Sequence, residues 1–307
     1  MISIVIPVKD GSADLERCLG AVGRQELDDE VEIVVVDSGS SDGSVEVARR
    51  HGARVHEIPP SEFGHGRTRN LGAQLAEGAI LVFTSQDAHA ADETWLARLV
   101  APLVAAGESA LGGTYGRQLP HEDATPPERY FLDFLYGPEP RVQRLDSDGE
   151  PSFEQTLFSN VNSAIPRAVW EEFPFADDLI MSEDQEWSRR VLRAGYELVY
   201  EPRAAVHHSH TYSVAGAFRR FFDSGASAER SYAAGGNGSG GALRRAGGRY
   251  ARGEVAWLWQ SGQRRWLPYA AVYELAKFGG LQLGRRHRQL PTWLKRRFSA
   301  LPAHWDA

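Results

Sequence analysis

The feature that narrows the fold first is a short apolar run, a polar turn and an amphipathic segment, repeated in that order through the first third of the chain. Ile2-Ser3-Ile4-Val5-Ile6-Pro7-Val8 opens it as a β-branched strand, and Ser12 then stands at an N-cap position ahead of Leu15, Cys18, Leu19 and Val22 at helical spacing. The unit recurs as Glu32-Ile33-Val34-Val35-Val36-Asp37, a Ser/Gly turn and a helix through Val45, Val47 and Ala48, then a short strand around residues 54–58. A helix from about residue 67 to 76 leads into the strand Ala79-Ile80-Leu81-Val82-Phe83. Continuous apolar strands alternating with amphipathic helices predict right-handed βαβ crossovers, hence an α/β fold with a mainly parallel sheet covered on both faces.

In such sheets ligands bind beyond the carboxyl ends of the strands, near the point where strand order reverses. The residues there are polar: Lys9-Asp10-Gly11, Asp37-Ser38-Gly39 and Thr84-Ser85-Gln86-Asp87. Acidic groups at that edge can hold ribose hydroxyls, base N–H groups or a divalent metal. A plainer reading competes at each position, since Asp37 can cap a helix and Asp10 can shape a turn. Asp87, at the end of a buried strand, is the more natural ligand for Mg²⁺ or Mn²⁺. Gly39-Ser40-Ser41-Asp42-Gly43 also satisfies the G-x-S-x-G pattern, which would make Ser41 a hydrolase nucleophile, but the turn follows only two strands and no oxyanion segment precedes it. No G-x-G-x-x-G follows the first strand, which argues against a dinucleotide fold.

Taken in order, Ile4-Val5-Ile6-Pro7-Val8-Lys9-Asp10, Ile33 to Ser44, Arg69-Asn70-Leu71-Gly72-Ala73, Ser182-Glu183-Asp184-Gln185-Glu186-Trp187 and Val206-His207-His208-Ser209-His210-Thr211-Tyr212 resemble the inverting family 2 glycosyltransferases of GT-A fold. The resemblance covers about residues 1 to 215. A finer likeness, to bacterial rhamnosyltransferases, lies in Phe63 to Asn70, Ser85-Gln86-Asp87-Ala88, His208-Ser209-His210 and Arg220-Phe221-Phe222-Asp223-Ser224-Gly225. It implies a Rossmann-like mixed, mainly parallel sheet flanked by helices, and transfer of a sugar, L-rhamnose from dTDP-L-rhamnose as first choice, to a glycan or lipid-linked saccharide. Other nucleotide sugars, a non-catalytic nucleotide-sugar-binding module and the serine hydrolase are the alternatives.

By the same resemblance Asp37 meets the nucleobase, with Pro7, Lys9, Asp10, Gly39, Arg67, Arg69, Asn70, Gln86 and Asp87 around the donor. Mg²⁺ or Mn²⁺ falls to Asp87 with His208 or His210. The family's acidic element departs from pattern here, because Thr84 and Gln86 stand where acids are usual. Asp184 is the implied general base and Glu183 its helper, while Asn160, Asn162 and Trp187 are candidates on the acceptor side. Structural roles compete for several of these: turns for Asn160 and Asn162, core packing for Trp187, solvated helix positions for Arg67 and Arg69. On an extended segment His208 and His210 share one face and His207 takes the other.

Composition bears on the rest. With 307 residues, 42% hydrophobic and 24% charged, wholesale disorder is excluded. Cys18 is the one cysteine and no leader-like segment opens the chain, so the expectation is a cytoplasmic protein; the longest apolar runs fall far short of the ~18 residues that span a bilayer. The net charge of −7 divides unevenly, with 16 Lys+Arg against 5 Asp+Glu from Val214 to Ala307, and 18 against 36 before it. Residues 1–213 are therefore read as the nucleotide-sugar-binding and catalytic part and 214–307 as a basic, aromatic, mainly helical region with a flexible glycine-rich stretch from Ala233 to Gly241. Such a region suits either peripheral contact with an anionic membrane or a helical cap that packs on the catalytic part or forms a homodimer. No recognition motif accompanies the charge, which argues against nucleic acid.

Overall fold

The computed structural model describes residues 1–107, 110–145, 149–232 and 239–306. The apolar runs of the first 85 residues form the expected alternation: β1 (Ile2–Val8), α1 (Ser12–Val22), β2 (Val31–Asp37), α2 (Ser44–Arg50), β3 (Arg54–Glu57), α3 (His65–Leu75) and β4 (Ile80–Thr84). They continue as β5 (His89–Ala90), α4 (Trp95–Ala106), β6 (Leu111–Leu119), α5 (Pro126–Leu135), β7 (Arg141–Gln143), β8 (Asn162–Pro166), α6 (Arg167–Glu172), α7 (Glu183–Arg193) and β9 (Glu197–His207). The helical part is α8 (Val214–Ser227), α9 (Ser239–Gln260), α10 (Leu267–Gly284) and α11 (Thr292–Phe298).

The strands make one sheet in the order β3-β2-β1-β4-β8-β6-β9-β5, with β7 also on β9. The sheet is mixed: β1 with β2, β1 with β4, β2 with β3 and β6 with β9 run parallel, while β8 enters antiparallel between β4 and β6. The period of two along β1 divides the core. Ile2, Ile4 and Ile6 pack on one face with Leu15, Leu19, Trp95 and Leu99, and Val5 packs on the other with Val34, Phe83, Tyr115, Trp187 and Val191. Since β1 lies between β2 and β4, the chain reverses its direction of travel across the sheet there, and the carboxyl ends at Val8, Asp37 and Thr84 open together.

In the helical part α8 and α10 touch backbone to backbone. A Cβ at Gly280 would lie 2.2 Å from the Phe218 carbonyl oxygen, and one at Gly284 2.0 Å from that of Phe222. Residues 233–238 of the glycine-rich stretch lie outside the described residues, while Ser239 to Gly241, expected to be flexible, begin α9. No helix among the described residues is long and apolar enough to cross a membrane.

The α8–α10 contact leaves no room for a methyl group. Gly284→Ala should destabilise the fold by about 1–3 kcal/mol through overpacking, measured as a lower midpoint in urea, whereas the same change at Gly262, whose Cβ would meet nothing within 4 Å, should cost only the strain of its positive φ.

Candidate active site

Beside that sheet edge, beneath the C-terminal helices, lies a cavity of about 620 Å³ whose wall includes Asp87, His208, His210, Glu183, Asp184 and Arg220. Site residues expected from three distant stretches of sequence thus share one surface. β9 delivers the histidines. His207, the last residue of the strand, pairs with His89 and stacks on its ring at 5.2 Å, while His208 and His210 turn the other way to Asp87, as a period of two requires.

Gln118 of β6 donates through Nε2 to Ser159 Oγ at 3.0 Å, leaving its Oε1 to accept from His208 Nδ1 at 2.8 Å. This network assigns the Nδ1–H tautomer to His208, so its Nε2 lone pair faces Asp87 Oδ1 at 3.7 Å. His210 Nε2 lies 3.6 Å from Asp87 Oδ2. Burial pushes the His208 imidazole down to about 4 and lowers that of His210 as well, although the Asp87 charge pulls the other way. A lone pair aimed at a carboxylate is repulsive unless a cation lies between them. One ligand atom from each of the three side chains falls within 4.8 Å of the others, a set that a divalent ion with bonds of ~2.0–2.2 Å can draw together.

The acid pair begins α7. Ser182 has φ 62, left-handed for a non-glycine residue, and this sharp entry places Glu183 and Asp184 in the first helical turn. Glu183 is buried against Arg69 Nη1 at 2.9 Å and Asn160 Nδ2 at 3.3 Å. Burial alone would raise its pKa, but Arg69 and then His65 outweigh it and hold it below the ordinary value. Asp184 accepts from the Asn160 and Gln185 backbone N–H groups at 3.2 and 2.8 Å. Burial, then the Glu183 charge, pushes Asp184 up to about 7. Two adjacent carboxyl groups thus titrate in opposite directions.

At the neighbouring rim Asp37 Oδ2 accepts from Gly39 N and Ser40 N at 2.9 and 2.8 Å, while its Oδ1 is buried without a hydrogen-bond partner. Lys9 Nζ bonds the Gly39 carbonyl and lies 3.0 Å from Asp10, and Pro7 sits within β1.

At several of the expected positions the side chains make structural contacts of their own, as the plainer readings allow. Asp10, at φ 44, gives its carboxylate to Ser41 N and Lys9, so it shapes the rim turn rather than presenting a free acid to a donor. Ser41 Oγ also bonds Asp10 and not a histidine, which removes the nucleophile reading. Gln86 clamps the backbone N–H and carbonyl of Lys9, and Thr84 is buried with its hydroxyl on the Val161 carbonyl. The departure from an all-acidic motif follows, because only Asp87 of that segment turns its carboxylate to the histidines. Asn70 is tied to Phe175, Asp177 and Trp170, and Arg69, in the cavity wall, to Glu183; Arg67 is exposed and outside the cavity.

On the acceptor side, Asn162 is fully buried, taking Trp95 Nε1 at 2.8 Å and donating to the Ala204 and Arg117 carbonyls. Trp187 is core, packed on Phe158 and Phe175. Asn160 is buried too and positions the acid pair. Gln118 and His65 were not singled out from sequence. A glutamine inside a strand carries no signal of its second role, whereas His65, in the Phe63 to Asn70 stretch, could have been flagged as a polar residue beside the acid pair's arginine.

Known proteins resemble this chain in sequence and in fold. Residues 3–167 match the family described as Glycosyl transferase family 2. The chain is 31% identical to the O-antigen chain rhamnosyltransferase RfbN of Salmonella typhimurium, with 99% of this chain and 96% of that protein covered. It is 30% identical to WbaN of Salmonella anatum, also described as an O-antigen chain rhamnosyltransferase, over 90% of this chain and 86% of that one. Among solved structures, the mannosyltransferase PcManGT from Pyrobaculum calidifontis, in complex with GDP-Man and Mn²⁺, superposes with a TM-score of 0.58 at 17% identity, covering 92% of this chain and 86% of its own. TarS of S. aureus in complex with UDP-GlcNAc gives a TM-score of 0.53 at 15% identity, over 69% and 59%. These two likenesses show the fold.

The buried Arg69–Glu183 pair should be asymmetric to mutation. Arg69→Met leaves an uncompensated carboxylate and should cost about 3–5 kcal/mol, read by urea unfolding, and adding Glu183→Gln should recover much of the loss.

Proposed function

This chain belongs to glycosyl transferase family 2 and is a glycosyltransferase, and from that premise we propose that it transfers L-rhamnose from dTDP-L-rhamnose, with inversion, to a hydroxyl of a glycan or lipid-linked saccharide in cell-surface polysaccharide assembly. The observation that carries the chemistry is that one cavity is lined both by Asp184 and by the Asp87–His208–His210 set. The likeness, over 90% or more of this chain, to two relatives described as O-antigen chain rhamnosyltransferases supports the choice of sugar.

In this reading the acceptor oxygen attacks the anomeric carbon and its proton passes to the Asp184 carboxylate. The carbon–oxygen bond to the diphosphate breaks on the opposite side, and the electron pair leaves with the diphosphate. A base near pKa 7 suits this step, since it is substantially ionised at neutral pH yet still basic enough to take a proton. Glu183, fixed by Arg69 and Asn160, stays ionised and keeps Asp184 basic. Asp87, His208 and His210 would hold Mg²⁺ or Mn²⁺, which supplies Lewis acidity toward the leaving diphosphate when bound. The unpaired Asp37 Oδ1 suits an N–H of the nucleobase.

The C-terminal helices bear on where the acceptor is met. Val272, Leu275 and Phe278 of α10 are exposed, at 54, 70 and 58%, as is Trp293 of α11 at 64%, and the exposed Arg285, Arg286 and Arg288 lie between the two helices in sequence. Apolar side chains with arginines close by in the chain fit the inner face of an anionic membrane.

Three measurements test the proposal. kcat/KM should rise about tenfold per pH unit below the Asp184 pKa near 7 and level off above it, because the base works only when deprotonated; Asp184→Asn, shown to be folded by circular dichroism, should abolish transfer, and near-normal turnover would remove Asp184 as base. Thermal unfolding with a panel of nucleotides should show a shift with dTDP and dTDP-rhamnose that EDTA removes and that Asp87→Ala lacks, whereas a shift with UDP or GDP sugars alone would discard rhamnose. The protein should float with anionic liposomes at low salt and not with neutral ones; absence of flotation overturns the membrane contact.

A further inference from the structure

The cavity's positive charges are not all paired alike. Three permanently cationic or ammonium side chains line it: Arg69, Arg220 and Lys277. Arg69 is neutralised by Glu183 at 2.9 Å, and Lys277 by Glu274 at 2.8 Å, its ammonium enclosed by the rings of Phe131, Phe221, Tyr250 and Tyr273 at 4.3 to 5.5 Å. Arg220 differs. Among the described residues no carboxylate lies within ion-pair distance of it, and its polar contacts are the Met181 sulfur and the Tyr212 hydroxyl, both uncharged.

Its position is also fixed. Arg220 lies on α8 between Phe218 and Phe222, the residues whose carbonyl oxygens meet Gly280 and Gly284 of α10. The guanidinium is carried into the cavity by this packed helix pair, and its charge reaches both His208 and His210. A half-buried guanidinium with no ion-pair partner among the described residues, its nearest influence on an acid being a through-space one on Asp223, keeps its fork of donors available for an anion that enters from solvent.

We propose that Arg220 is a catalytic residue contributed by the C-terminal helical part, binding the diphosphate of the nucleotide-sugar donor and neutralising charge on it as the sugar departs. The assignment rests on the glycosyltransferase reading and goes beyond it, because it places the leaving-group cation outside the segment that matches the family and makes α8 part of the donor site.

The test is calorimetric binding of dTDP, thymidine and inorganic pyrophosphate, each with Mg²⁺, to the full chain and to Arg220→Gln and Arg220→Lys. The expected result is a loss of roughly ten- to a hundred-fold in dTDP and pyrophosphate affinity for Arg220→Gln, thymidine affinity unchanged, and partial rescue by Arg220→Lys, which keeps the charge without the fork. If Arg220→Gln does not fold, the graded loss in Arg220→Lys carries the test. Unchanged dTDP affinity in the folded variants would overturn the role of Arg220 and leave the glycosyltransferase reading standing. Equal losses for dTDP and thymidine would show a merely structural residue and overturn it likewise. A wild-type chain that binds none of dTDP, UDP or GDP would overturn the donor reading and this inference together.

Discussion

Glu183 and Asp184 are neighbours in sequence, and without a fixed cation one of them would have to stay protonated or leave the interior, so the site depends on Arg69 being held against Glu183 from another helix. α3 supplies that arginine and α7 the acids, and Asn160 ties both carboxyl groups to the loop before β8. The pair keeps one negative charge in place, and that charge, added to burial, raises the neighbouring carboxyl group toward neutrality. Stability follows the reverse course: because Asp184 binds its proton more tightly when folded than when unfolded, its contribution is complete in acid and is lost as pH rises from the ordinary carboxylate range toward 7. The fold gives up some stability at neutral pH to hold a base that is useful there.

The metal-side residues follow from a different constraint. Strand alternation directs His208 and His210 to one face, and Gln118 selects which imidazole nitrogen carries the proton. Thr84 and Gln86 are committed to joining β4 to the loop before β8 and to the end of β1, so the family's acidic element is thinned to Asp87 because its other positions brace the sheet edge.

Much of this was legible beforehand, for physical reasons. The βαβ alternation is written in apolar periodicity, which burial enforces, and Asp87, Asp184, His208 and His210 stood in ordered motifs at strand ends and a helix start. What the sequence leaves open at the other candidates has one cause. Asn70, Asn162, Arg69 and Trp187 sit in or beside the same motifs, but their side chains satisfy buried backbone carbonyls, a buried acid or the core, and sequence does not say which way a polar side chain turns. For Asp10 the turn reading was one of two, and the φ of 44 and the bond to Ser41 that favour it depend on a loop some thirty residues away. Arg220 stands in a motif that gives it no role of its own, since nothing in the sequence shows that other cations are already paired.

The position of β8 affects how the chain can be made. Among the described residues, the first four strands form a parallel set whose β4 edge is covered only by residues 162–166, and β6, already synthesised, reaches the set only through that same strand. Until the ribosome has released Pro166, the nascent chain carries an unpaired apolar edge at Ile80 to Thr84. The interval between synthesis of β4 and arrival of β8 is therefore when this protein is most exposed to strand-to-strand aggregation, and translation speed across residues 85–166 sets its length.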